Sequence, residues 1–257
     1  MLDRLFAALI LVTRLPFWRL RKVPAGAFAR ATEWWPAVGW LTGGVTAAAL
    51  WLTAAWLPMQ LAVLLAFAVR LLLTGALHED GLADCCDGFG GGTNREQRLA
   101  IMKDSHIGTY GVLGLLFYLL LLTQTIAALP AATAALLILA GDPFAKLAAV
   151  QLTNCLPYVR PLEQSKVGAY RRMKAEGWIV SLLFGLLPLL LFLRIEPVVL
   201  VAAVAAPMVL TACLIAFLHR KIGGYTGDCC GAAFLLAELS FYLTAVTICY
   251  GYGNLVG

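Results

Sequence analysis

The sequence predicts an all-α, polytopic membrane protein: a helical bundle of about seven transmembrane helices plus a short N-terminal interfacial or re-entrant helix. Three observations carry that prediction. Of 257 residues, 61% are hydrophobic and only 13% charged, well below the ~25% charged share of a soluble domain. Apolar runs near 20 residues, long enough to cross the hydrocarbon as helices, recur along the chain. Lys and Arg are concentrated in a few segments between those runs, the asymmetry expected of membrane loops. Backbone polar groups inside lipid must be paired, so the spans are read as helices. The net charge of +5 is then a property of membrane loops and gives no reason to expect nucleic acid. The lipid bilayer is the expected environment.

The elements follow in order. Residues 2–15 (LDRLFAALILVTRL) are apolar but too short for a comfortable span, and they carry Arg4 and Arg14. Pro16 stops them. No small-residue cleavage site is evident, so the segment is expected to remain in the mature protein. Residues 17–35 are basic, with Trp18, Trp34 and Trp35 as interfacial anchors. The first span covers 36–57, where Gly39, Gly43 and Gly44 permit close helix approach. The second, 59–77, contains Arg70, which should face the protein interior. A polar stretch follows. The third and fourth spans cover 108–129 and 131–152. The fourth holds Asp142 and Lys146 at i,i+4, which suits a local ion pair as well as a site-facing Lys. After a basic loop at 153–177 come spans at 178–194, 197–218 and 229–250. With seven spans, the basic segments 17–35, 78–107, 153–177 and 219–229 all fall on one face, predicted to be cytoplasmic. No internal repeat or low-complexity linker interrupts the chain, so residues 1–257 read as one integral-membrane domain.

Seven cysteines are present, two pairs of them adjacent and none in a C-x-x-C pattern. Adjacent helical cysteines point ~100° apart and make a poor metal clamp. They are read as small, buried, reduced side chains.

The chemistry is concentrated in residues 77–108. Asp80, Asp84 and Asp87 lie within an arc of about 60° if the segment is helical. Like charges so placed repel one another, and a hard divalent cation such as Mg²⁺ would relieve that while bridging to phosphate. Gly88, Gly90, Gly91 and Gly92 are expected to end the helix and let the backbone approach a ligand. Lys103-Asp104-Ser105-His106 forms a second polar patch. A third motif, Gly223-Gly224-Tyr225-Thr226-Gly227-Asp228, opens the last span and resembles a phosphate-cradling turn before a helix N-terminus. Glu238, about 15 Å further along that helix, and His78, beside the first acidic face, are candidate site residues. Carboxylates beside Lys and Arg suit a metal-held pyrophosphate, with one carboxylate left to take the proton of an attacking hydroxyl.

Three stretches, LHEDGLADCCDGFGGG at 77–92, RLAIMKDSHIGTYG at 98–111 and GGYTGDCCGAAFLLAE at 223–238, together resemble the adenosylcobinamide-GDP ribazoletransferase (cobalamin synthase) family. Thr13–Pro16 and the Pro36-Ala37-Val38-Gly39 step resemble it too. The resemblance implies an enzyme of the bacterial or archaeal cytoplasmic (inner) membrane, acting late in cobalamin (vitamin B12) biosynthesis at the cytoplasmic face. The hydroxyl of α-ribazole, or of its 5′-phosphate, would attack the β-phosphate of adenosylcobinamide-GDP and release GMP, with Mg²⁺ as cofactor. The roles expected on this chain are metal ligation by Asp80, Asp84 and Asp87. Asp84, Asp104 and Asp228 are expected to be the catalytic carboxylates. His78, Lys103, His106, Lys146, Gly224, Thr226 and Glu238 are expected to bind substrate. A homo-oligomer is compatible with the sequence.

The chain departs from the family at His106 and Lys146, where Arg is usual, and at Glu79, where an apolar residue is usual; His and Lys lack the planar Arg fork. Two rival readings were weighed. A CDP-alcohol phosphatidyltransferase has Ala-Arg after its first Asp-Gly, whereas this chain has Ala83-Asp84. A transporter places its site near the midplane, often with repeated broken helices, and no such repeat is visible.

Overall fold

A computed structural model describes residues 1–160, 169–192 and 197–252. Lys166, in the basic loop at 153–177, and Arg194, on the turn near 195, lie outside the described residues. The described chain is helical, with no β-strand beyond one bridge between Tyr158 and Tyr225. In order the helices are α1 (Leu2–Val12), α2 (Phe17–Leu20), α3 (Ala25–Phe28), α4 (Trp35–Ala54), α5 (Met59–Thr74), α6 (Leu77–Gly91), α7 (Arg95–Ile101), α8 (Thr109–Ala127), α9 (Ala131–Ala149), α10 (Gln151–Cys155), α11 (Ala175–Leu186), α12 (Pro197–Ile222) and α13 (Gly227–Tyr252). Among the described residues, six helical segments are long and apolar enough to cross a membrane, and α5 with α6 would make a seventh if taken as one span. The protein is therefore a polytopic helical membrane protein, as expected.

The short N-terminal helix α1 does not reach across a bilayer: 11 residues extend about 16 Å. It buries Ala7, Ala8 and Val12 against Ala31 and Val38. Arg4 anchors it, donating to Glu33 at 2.9 Å and to Glu176 at 3.1 Å.

At the centre, α4 packs along α9. A Cβ on Gly39 would lie 2.6 Å from the Pro143 Cα, and one on Gly43 would lie 2.9 Å from the Asp142 Cβ. The close approach expected of those two glycines is therefore real; Gly44 has ordinary room. Residues 140–149 of α9 are all buried, whereas α8 turns Val112, Leu113, Leu116, Phe117 and Leu120 outward. That exposed apolar face suits lipid contact.

The largest departure from the sequence reading is at residues 75–76. The second span was expected to run to residue 77, but α5 ends at Thr74, and the chain bends by 91° before α6 begins. Gly75 (φ +67°) and Ala76 (φ +57°) both adopt the left-handed conformation, and the Gly75 N–H closes α5 onto the Leu71 carbonyl. Arg14 lies directly over Gly75, where a Cβ would collide with its side chain. The bend sets α6 against α8 and the start of α13, which places the acidic motif beside the residues that open α13.

Charges inside the bundle are partnered. Arg70 faces the interior as expected and donates to Glu238 at 2.6 Å and to Tyr118 at 3.1 Å. Tyr242 and Tyr118 also donate to Glu238, at 2.9 and 3.2 Å. Glu79 stands 3.6 Å from Arg70, so the carboxylate that departs from the family pattern meets a cation. Lys146 pairs with Asp142, and Thr42 bonds to both, donating to Asp142 at 2.8 Å and accepting from Lys146 at 3.1 Å.

Candidate active site

The acidic motif is helical, as the spacing predicts, but α6 continues through Gly91 and closes at Gly92. Gly88, Gly90 and Gly91 therefore lie inside the helix and do not end it. Gly88 packs on Met102, and Gly90 packs under the Tyr110 ring, so their closeness serves protein packing. Gly81 does the same toward the third motif: a Cβ there would lie 2.7 Å from the Asp228 carbonyl oxygen. This contact brings α6 against the start of α13 and places Asp84 within electrostatic range of Asp228. Behind them, the Cys85 and Cys229 sulfurs stand 4.0 Å apart as free thiols. Cys155 and Cys213 are exposed, contrary to the buried reading, and the Cys249 side chain lies outside the described residues.

Asp84, Asp80 and Asp228 act on one another through space. Burial, then the charges of Asp228 and Asp80, push the Asp84 carboxyl up to about 7, against the pull of Arg160. Arg160 pairs with Asp228 at 2.8 Å and donates to the Met102 carbonyl at 3.1 Å. One guanidinium thus links the end of α7 to the opening of α13, and its charge reaches Asp84 of α6. In sequence, Arg160 is one of several cations in the basic loop at 153–177. Nothing in its local pattern separates it from Arg171, Arg172 or Lys174; the packing does.

Asp87 plays a different part from the one expected. Its Oδ2 accepts from the Gly108 N–H at 2.7 Å and its Oδ1 from the Gly111 N–H at 2.8 Å. Both oxygens thus cap the N-terminus of α8, where a carboxylate is favoured by orphan N–H groups and the helix dipole. Among the described residues, no three His, Cys, Asp or Glu side chains stand together closely enough to hold a metal ion. The expected Asp80–Asp84–Asp87 cluster is therefore not assembled here, and the engagement of Asp87 is one physical reason. Asp80, Asp84 and Asp228 do not stand that close either, but their donor chemistry, all oxygen, is that of a hard-cation site, and burial with the charges of Asp228 and Asp80 pushes Asp84 up to about 7.

Most of the expected substrate-binding residues have structural partners. Lys146 is buried, its ammonium spent on Asp142 and Thr42 and set 3.8 Å from the Phe234 ring centroid. The local ion pair takes it, because an unpaired ammonium in the bundle interior is costly. Glu238 is likewise committed to Arg70, Tyr118 and Tyr242. His78 is buried with its ring 4.6 Å from Phe234. The Cβ side of Gly224 packs on the Pro157 carbonyl, whereas those of Gly223 and Gly227 face open space. Thr226 caps α13: its Oγ1 accepts from the Cys229 N–H at 3.4 Å and donates to Asp228 at 3.2 Å. Asp104 and His106 bond to each other in an exposed loop, Oδ1 to Nδ1 at 2.7 Å, and this hydrogen bond holds the Asp104 carboxyl below its ordinary range. Lys103, also exposed, adjoins them.

The family profile described as cobalamin-5-phosphate synthase matches residues 4–246. The chain belongs to the cobalamin-5-phosphate synthase family. It is 36% identical over 254 residues to the adenosylcobinamide-GDP ribazoletransferase of Shewanella baltica (strain OS185), covering 96% of this chain and 95% of that one. It is 38% identical over 239 residues to the protein of the same name from Ralstonia pickettii (strain 12J), covering 91% of each. The Shewanella oneidensis protein of that name is 35% identical over 253 residues. No solved structure matches the chain. For a member of this synthase family, the corner formed by α6, α7 and α13 is where the three recognised motifs meet.

Proposed function

We propose that the chain is an adenosylcobinamide-GDP ribazoletransferase of the bacterial or archaeal cytoplasmic membrane, with its active site on the cytoplasmic face. The hydroxyl oxygen of α-ribazole, or of its 5′-phosphate, forms a bond to the β-phosphorus of adenosylcobinamide-GDP. The bond from that phosphorus to the bridging oxygen breaks, GMP leaves, and the hydroxyl proton passes to a carboxylate. The single observation that carries the reading is the meeting of Asp84 and Asp228, from motifs far apart in sequence, at one end of the bundle. Arg95, Arg98, Arg220 and Lys221 lie around that end, which supports a cytoplasmic assignment.

Asp80, Asp84 and Asp228 would hold Mg²⁺, which when bound neutralises phosphate charge and orients an in-line displacement. The chain's own residues supply the rest. With no cation bound, burial and the charges of Asp228 and Asp80 hold Asp84 near 7; the hydroxyl proton passes to whichever of the corner carboxylates the ion leaves free, Asp84 or Asp228. Asp87 positions α8 through the Gly108 and Gly111 amides and so fixes the loop carrying Lys103, Asp104 and His106 beside the corner. The bend at Gly75 and Ala76 keeps α6 across the bundle end, where a water-borne nucleotide and a membrane-associated corrinoid can both reach it.

The test is direct. Purified protein in detergent or nanodiscs is incubated with adenosylcobinamide-GDP, α-ribazole and Mg²⁺, and products are identified by mass. Adenosylcobalamin and GMP in equal amounts are expected. Intact substrates after prolonged incubation with folded protein would reject the reading.

A further inference from the structure

Arg160 stands at the Asp84–Asp228 corner, and its setting is more than a surface ion pair. The segment before it is pinned to the opening of α13: the Tyr225 N–H donates to the Pro157 carbonyl at 2.9 Å, and the Val159 N–H donates to the Tyr225 carbonyl at 3.1 Å. The Tyr158 and Tyr225 rings meet edge-on at 5.5 Å. The backbone leading into Arg160 is therefore held at Pro157 and Val159. Its Nη2 serves the Met102 carbonyl and Asp228, while its Nε is buried with no hydrogen-bond partner among the described residues. A buried donor left unpaired is costly and invites an acceptor. The side chain as a whole is 16% exposed, so a ligand can approach it. Among the charged groups that act on Asp84, Arg160 is the one cation, against Asp228, Asp80 and Asp87.

We infer that Arg160 is a substrate-binding residue that grips the pyrophosphate of the nucleotide-linked substrate at the Asp84–Asp228 corner. The inference rests on the transferase reading above and adds a residue that neither the motifs nor the family name supplies. Its charge logic is simple. Asp80, Asp84 and Asp228 against one guanidinium leave the corner two charges negative. A divalent cation there balances the corner, and Asp228 then has a second counter-charge. That frees the guanidinium to offer its fork to phosphate oxygens, the geometry for which Arg is suited and Lys is not. No bond is made or broken by Arg160; it binds and orients.

The experiment measures binding as well as turnover. Isothermal titration calorimetry with GDP and Mg²⁺, and initial rates with adenosylcobinamide-GDP, are compared for wild type, Arg160→Met, Arg160→Lys and Arg160→Ala, with the exposed Arg19→Met as control. Loss of hydrogen bonds to a charged group predicts about a 10- to 100-fold rise in KM and in the GDP Kd for Arg160→Met. Arg160→Lys should fall between, and added methylguanidinium should restore much of the loss in Arg160→Ala. A purely structural Arg160 would instead lower the folded fraction and would not respond to methylguanidinium. Arg160→Met with KM and GDP affinity within twofold of wild type overturns the inference. So does a folded Arg160→Ala that methylguanidinium leaves unchanged. Wild type that binds GDP through Arg160 yet releases no GMP from the substrate pair would uphold the inference and reject the transferase reading.

Discussion

Protonation of Asp84 should be linked to Mg²⁺ binding, and the size of the linkage follows from its surroundings. Burial and the neighbouring Asp228 and Asp80 hold its carboxyl at about 7. The charged form is thereby disfavoured, so the proton is retained until pH rises through that value. A divalent cation binds the carboxylate and not the acid, so it must displace the proton. The apparent dissociation constant is then multiplied by 1 + 10^(pKa − pH), which is about 11 at pH 6, about 2 at pH 7 and about 1.1 at pH 8. Affinity should therefore improve about tenfold from pH 6 to pH 8, with most of the gain below pH 7.

At pH 7 about half a proton should be released per ion bound. Calorimetry in two buffers of different ionisation enthalpy reads both quantities on the same samples. Asp84→Asn should weaken Mg²⁺ at every pH and remove the slope, because the titrating group is gone. Flat wild-type affinity between pH 6 and 8, or no proton release, would refute the reasoning. A slope that survives in Asp84→Asn would assign the titration to another group.

Three other expectations follow from the geometry. Asp87→Asn removes the charge that caps α8 and should cost about 1–2 kcal/mol of stability in detergent unfolding, while shifting Mg²⁺ affinity less than Asp84→Asn does; an equal loss of affinity would return Asp87 to the ion. Lys146→Met leaves Asp142 buried without its cation and should cost about 3–5 kcal/mol, whereas adding Asp142→Asn should recover part of that loss; if the single variant is stable and raises KM, Lys146 serves the substrate after all. Cysteines placed at Asn94 and Lys221, in a background lacking Cys155 and Cys213, should react with impermeant reagent only from the cytoplasmic side, and labelling of either from outside in intact cells would overturn the assigned orientation.

What was legible in the sequence, and what was not, divides along a physical line. The helical bundle was legible because lipid leaves few choices: long apolar runs with paired backbones must be helices. The acidic helix was legible because spacings of four and three are a local property. Its direction was not. Two consecutive left-handed residues turn α6 by 91°, yet Gly75-Ala76 reads like any small pair within an apolar run. Partner choice was the other blind spot. Asp87 has the right spacing to join Asp80 and Asp84, but the amides of Gly108 and Gly111 compete for it and win, because a helix N-terminus offers several donors at once. Glu238 and Lys146 looked functional for their depth, and depth is what obliges them to pair with Arg70 and Asp142. Arg160 shows the converse. In one dimension it belongs to a run of basic loop residues, and only the bridge from Tyr158 to Tyr225 and the pairing with Asp228 set it apart. A site assembled from four separated segments is written partly in contacts, and contacts between α6, α7, α13 and the segment before residue 160 carry no local signature.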